Sequence, residues 1–141
     1  MYKCKWFKLS ELLPQELFKD ENKGWDIFDE RLKITLDAIR EILGVPLICN
    51  NWKHGGSRGH SGARTKNSPY FRLGSYHSVR KDRKVMAADV ISTRMTAQEM
   101  RDILARNHSK LPYPIRIEEG VNWLHVDVAE VVGYKIYFFK P

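Results

Sequence analysis

Trp123-Leu124-His125-Val126-Asp127-Val128 is the stretch on which the reading of this chain turns. Successive residues of a strand point to opposite faces. Leu124, Val126 and Val128 therefore form one apolar face, suited to a core. Trp123, His125 and Asp127 share the other, which sets an imidazole beside a carboxylate under a large aromatic. A second apolar run, Val85-Met86-Ala87-Ala88-Asp89-Val90-Ile91, reads as a strand and also carries one carboxylate. Upstream, His77 stands in Gly74-Ser75-Tyr76-His77-Ser78. Neutral imidazole and carboxylate are good zinc donors, and three protein ligands leave a fourth position open. His77, Asp89 and His125 are the candidate metal ligands on these grounds, with Zn2+ the expected ion.

Outward from these strands the pattern mixes helix and sheet. Ile27, Leu32, Leu36, Ile39 and Leu43 recur at helical spacing and predict a helix over Asp26–Leu43. Gly44 and Pro46 stop it. Phe7–Leu13 is a short lead-in segment in which Ser10 is a candidate cap, and Pro14–Phe18 a further helical turn. Pro46–Asn50 reads as a buried strand. Thr96 and Glu99 form a capping box ahead of a helix over Ala97–Asn107 that buries Met100, Ile103 and Leu104. Ile115–Glu118 alternates as a strand, Gly120 turns the chain into Trp123–Val128, and Tyr134–Phe139 supplies the last strand. The expected fold is a single α+β domain over residues 1–141, with a central, mostly antiparallel sheet flanked by helices.

Two polar segments border the candidate ligands. Asn51–Leu73 disperses Gly55, Gly56, Gly59 and Gly62 among Ser, Arg, Lys and Asn. A connection longer than ~12–15 residues in a compact domain is usually functional or disordered, and the place of this one just ahead of His77 favours a substrate-binding loop. His54 and His60 within it are secondary ligand candidates, although an exposed loop histidine usually has no such role, and His108 at a helix end needs no special reason. Ser78–Lys84 is charged and predicts a protruding turn that touches no metal. An apolar content of 43% with 11% aromatics is enough for one core. No apolar run nears the ~20 residues of a membrane span. The start of the chain lacks the apolar stretch of a secretory signal, which implies synthesis in the cytoplasm and leaves the site of action open. Cys4 and Cys49 lie far apart and read as buried thiols. The net charge of +7 suits a polyanion, nucleic acid or an anionic bacterial wall polymer, and equally a solvated basic surface. No nucleic-acid reader motif is present, so nucleic acid is not an expected partner. A monomer is expected.

Ser61-Gly62-Ala63-Arg64, Ser75-Tyr76-His77, Ala87-Ala88-Asp89 and Trp123-Leu124-His125-Val126-Asp127 follow one another along the chain. In that order they resemble the zinc D-alanyl-D-alanine carboxypeptidases. The related L-alanyl-D-glutamate endopeptidases of phage lysis systems share the same hedgehog-like frame. The family pattern is Ser-x-His-x-x-Gly-x-Ala-x-Asp followed far downstream by a histidine, often as His-Val-Asp. The resemblance implies a zinc peptidase that hydrolyses peptide bonds in peptidoglycan stem peptides. It implies that His77, Asp89 and His125 ligate zinc, that Arg64 holds a substrate oxygen, and that Ser75 supports the site without being a nucleophile. Zinc can lower the pKa of a bound water to about 7, and an arginine beside it can stabilise the oxyanion formed on attack.

The chain departs from the pattern in three places. The His77-to-Asp89 interval is longer, by residues that fit the charged run Ser78–Lys84. Val85 stands where the family has glycine. Asn122 stands three residues before His125, where many members place a glutamate base, so a proton acceptor must come from elsewhere. Glu118, Glu119 and Asp127 are the candidates. Asp127 shares the face of His125 and either orients that imidazole or takes the proton itself. The alternative reading is a non-catalytic module of a phage particle or wall-binding assembly. It would keep the peptidase fold and hold an anionic polymer on its basic loops.

Overall fold

The computed structural model describes residues 1–141. Its four strands are β1 (Ala87–Val90), β2 (Ile115–Glu118), β3 (Leu124–Asp127) and β4 (Ile136–Phe139). They form one sheet in the order β1-β3-β2-β4. β3 runs antiparallel to both of its neighbours, whereas β4 runs parallel to β2, so the sheet is mixed. Three α-helices accompany it: α1 (Leu9–Leu12), α2 (Glu30–Leu43) and α3 (Ala97–Arg106). The protein is therefore a single small α+β domain, and one contiguous core from Phe7 to Val128 joins helices and sheet.

Strand alternation sorts the sheet into two unlike faces. Ala88, Val90, Ile115, Ile117, Leu124 and Val126 are all buried in the core with α2 and α3. Asp89 pairs across from His125, and Ala87 across from Asp127. On the other side of β3, Arg116 pairs with Asp127. One step further in that register sets Glu118 across from His125, and Glu118 in turn lies beside Phe139 of β4. The second face thus carries Asp89, His125, Asp127, Arg116 and Glu118 beside Ala87 and Phe139, and Asp89, His125 and Asp127 are nevertheless buried. Loop residues, not a helix, cover it.

The long helix starts later than its apolar spacing predicts. Gly24 at φ +128° opens a separate single turn, Trp25–Ile27, and Phe28 then bridges to Val85. Asp29 caps α2 by accepting the Arg31 N–H, and Gly44 closes it in the left-handed region. The helix buries polar groups as well as its apolar stripe. Lys33 donates to Trp25 O and Glu30, and Asp37 accepts from Tyr2 Oη and the Lys5 and Trp6 amides. Ser10 does not cap α1 but lies inside it, hydrogen-bonded to Glu21. Pro46–Asn50 is not a strand: only Ile48 pairs, with Ile91, because Asn50 turns its backbone and side chain towards Glu11, Leu13 and Ser61. The capping box at Thr96 forms as its spacing predicts. In α3 Met100 and Leu104 are buried and Ile103 only half so; Arg101 takes the remaining buried position. Cys4 and Cys49 are free thiols. No helix is long and apolar enough to cross a membrane.

Gly62 anchors the loop that covers the polar face. A Cβ there would lie 2.0 Å from the Leu12 carbonyl oxygen, a rigid backbone atom. The next amide, Ala63 N–H, donates to that same oxygen at 2.9 Å. Gly62→Ala is therefore expected to cost about 3 kcal/mol through forced backbone separation. Denaturant unfolding of the variant measures this, and a loss under about 0.5 kcal/mol would contradict the close approach.

Candidate metal centre

Three segments bring the donors together. β1 supplies Asp89 and β3 supplies His125, paired directly across the sheet. His77 comes from a loop held between two others: Arg64 N–H donates to His77 O, and Met86 N–H donates to Tyr76 O. His77 Nε2 lies 3.3 Å from both His125 Nδ1 and Asp89 Oδ1, and His125 Nδ1 lies 2.9 Å from Asp89 Oδ1. Zinc bonded at about 2.0–2.1 Å in a tetrahedron sets neighbouring donors about 3.3–3.4 Å apart. The three atoms are spaced close to one face of such a tetrahedron. Two imidazole nitrogens facing each other at this distance need a proton or a cation between them. This buried His-Asp-His group can hold a metal ion.

The remaining ring nitrogens fix the tautomers. His77 Nδ1 lies 2.9 Å from Gly62 O, a group that can only accept, so Nδ1 carries the proton and Nε2 is free to bind. His125 Nε2 lies 2.8 Å from Asp127 Oδ2. Arg116 grips the same carboxylate through Nε and Nη2, at 2.8 and 3.0 Å. An ionised Asp127 likewise only accepts, which leaves His125 Nδ1 for the metal. Asp127 is fully buried behind the imidazole, on the ring atom that points away from the donors. It orients His125 and does not line the cavity.

Burial disfavours the charged form of these groups, and their pairing outweighs it. Against burial, hydrogen bonds from His125 and His77 hold the Asp89 carboxyl well below the usual carboxylate range. His125 and Arg116 likewise lower Asp127. Burial pulls His125 down, but hydrogen bonds to Asp127 and Asp89 lift it to about 9. A histidine of raised pKa stabilises the fold fully below its unfolded value of about 6.5 and loses that contribution as pH rises through the folded value. The urea midpoint of the metal-free protein is therefore expected to fall between about pH 6.5 and pH 9. Zinc-loaded protein should show no such fall, since the cation replaces the proton on Nδ1. Urea titrations at stepped pH measure both, and parallel curves would contradict the arrangement.

Over the donors opens a cavity of about 590 Å3. His77, Asp89 and His125 form its floor, and Arg58, His60, Arg64, Tyr70, Glu118 and Trp123 line its walls. Arg64 spans the site: Nη2 donates to Asp89 Oδ2 at 3.1 Å and Nε to His60 O at 2.6 Å, leaving Nη1 without a protein partner. Ser75 also lines the cavity, and its hydroxyl accepts the His77 amide at 3.2 Å. Of the residues that could take a proton, Glu118 alone of the three candidates lies on the wall. Glu119 and Asn122 fall in separate surface depressions. His54 and His108 are exposed and take no part.

Three contributors carry little mark in the sequence. Arg116 reads only as the polar member of an alternating strand. His60 reads as a loop residue, although its ring lies against Tyr70 at 5.7 Å on the cavity wall. Arg101 sits in the apolar stripe of α3 and donates to Trp123 O, Val121 O and Glu118 O, fastening the β2–β3 turn that presents Glu118 and Trp123. A charge at a helix position due to be buried was the available signal. Comparison of the chain with family models, with curated proteins and with solved structures finds no match in any of the three.

Proposed function

We propose that the protein is a zinc-dependent peptidase acting on stem peptides of peptidoglycan, of the kind its sequence motifs resemble. One observation carries this reading: three buried donors of fixed tautomer form the floor of a cavity walled by Arg64 and Glu118. When bound, zinc supplies a Lewis acid that polarises a carbonyl and acidifies water. Arg64 donates from Nη1 to the substrate oxygen that gains charge as the carbonyl is attacked. Glu118 accepts the proton of the attacking water and passes it to the leaving amine. Asp127 and the Gly62 carbonyl keep His125 and His77 in their binding tautomers. Tyr70 and Trp123 give the peptide an aromatic rim to lie against. The test is release of amino groups from purified wall fragments, with and without a chelator. Chelator-sensitive release is the expected result, and none from any stem peptide would remove the peptidase reading.

A second reading is a binding module that retains the peptidase fold. The distribution of charge favours it. Residues 51–94 carry ten lysines and arginines against two carboxylates, a net +8 in the segment that supplies Arg58 and Arg64 to the cavity wall. Salt-sensitive retention on wall polymer without amino-group release would select this reading.

A further inference from the structure

Tyr76, the residue before the candidate ligand His77, lies against two arginines. The Arg83 guanidinium carbon is 4.6 Å from its ring centre and that of Arg116 is 5.2 Å away. Arg116 also stacks on Phe139 at 4.4 Å while it grips Asp127. Arg83 belongs to the charged run Ser78–Lys84, expected as a protruding turn that touches no metal. That run supplies none of the three donors, but its Arg83 folds back onto the loop that carries His77. Arg83 Nη2 donates to Ser75 O at 2.5 Å, and its buried Nε has no hydrogen-bond partner. The guanidinium is thus held by the Tyr76 ring and by one carbonyl two residues before His77.

We propose that Arg83 is a positioning residue for the metal centre, acting through Tyr76 and Arg116 on the ring of His125. The inference rests on the reading of His77, Asp89 and His125 as metal ligands. Its logic is a choice of acceptors. Arg116 shares its strand face with Glu118, a second carboxylate two residues on. The stack of aromatic rings around Arg116 commits its donors to Asp127. Asp127 in turn holds Nε2 of His125, which leaves Nδ1 aimed at Asp89 and His77. With Arg83 removed, Tyr76 loses the cation and the Ser75 tether that steady it. Arg116 is then free to turn to Glu118, and His125 loses its fixed orientation.

Two measurements test this on the full chain: zinc affinity by competition with a chromophoric chelator, and imidazole 1H–15N spectra of the metal-free protein. Partners that orient a ligating histidine are typically worth 10–100-fold in metal affinity, and Arg83 acts one contact further out. Arg83→Met and Tyr76→Leu are each expected to weaken zinc about tenfold and to shift or broaden the His125 Nε2–H signal. Arg83→Lys, which keeps a cation over the ring, should recover most of both. Lys81→Ala, on the same turn and exposed, should match wild type. The double variant Arg83→Met/Tyr76→Leu should be no weaker than Tyr76→Leu, because the two residues act in series. Arg83→Met with wild-type affinity and an unchanged His125 signal would overturn the proposal. So would a lowered unfolding midpoint as its only effect, failure of Arg83→Lys to recover anything, or full additivity in the double variant. Wild type that binds no zinc would instead remove the metal-centre reading, and the metal-free spectra would still decide the role of Arg83.

Discussion

His125→Ala is expected to reduce bound zinc from about one ion per chain to background, and amino-group release to the level seen with chelator. The change deletes a donor inside the sheet that touches both Asp89 and His77. Two donors on separate segments cannot complete a three-ligand site. The fold is expected to survive, because each stranded carboxylate keeps a cationic partner: Asp89 keeps Arg64, and Asp127 keeps Arg116. His77→Ala should behave alike. Asp127→Asn, which removes charge behind the ring but no donor, should weaken zinc by only about 10–100-fold. Metal analysis of desalted protein, with unfolding curves alongside, separates these outcomes. A full zinc load in both histidine variants would place the metal elsewhere.

Glu118→Gln should leave zinc content unchanged and lower turnover by about 10²–10⁴-fold, the usual contribution of a positioned general base. Glu118 is half-buried on the cavity wall and lies across the sheet from His125, on the open side of the site. On the proposed peptidase reading, Asp127→Asn would also slow turnover, but through lost metal affinity, and saturating zinc should restore the rate. Zinc should not restore Glu118→Gln. Asn122→Glu is expected to change nothing, because Asn122 faces a different depression beside α3. Initial rates on wall peptides at two zinc concentrations settle the comparison. An undiminished rate for Glu118→Gln would move the proton acceptor to another group.

Strand alternation made the face shared by His125 and Asp127 legible in the sequence, because β3 lies inside the sheet and both of its faces are buried. A lone carboxylate in an apolar run is costly to bury without partners, which marked Asp89 in the same way. The choice between Glu118 and Asp127 was not legible. Both lie near His125 in any strand reading, and only the pairing register says which side of the imidazole each occupies. Arg83, Arg101 and Arg116 were illegible for a related reason. Sequence shows a charge, whereas their roles rest on partners in distant segments. The early start assigned to α2 has a local cause: Ile27 fits the helical period, but Gly24 and the Phe28–Val85 bridge keep that turn apart.

The polar face has a consequence for how β3 finds its place. A one-residue slip against β1 would turn every core residue outward, and hydrophobic burial alone forbids it. A two-residue slip is the dangerous error, since it returns Leu124 and Val126 to the core side. In one direction it sets Asp127 across from Asp89, two carboxylates with no imidazole between them. In the other it offers Asp89 only Trp123. Like charges directly opposed on a sheet are destabilising. The residues that ready the site for a metal therefore also proofread the alignment of the strand that carries them.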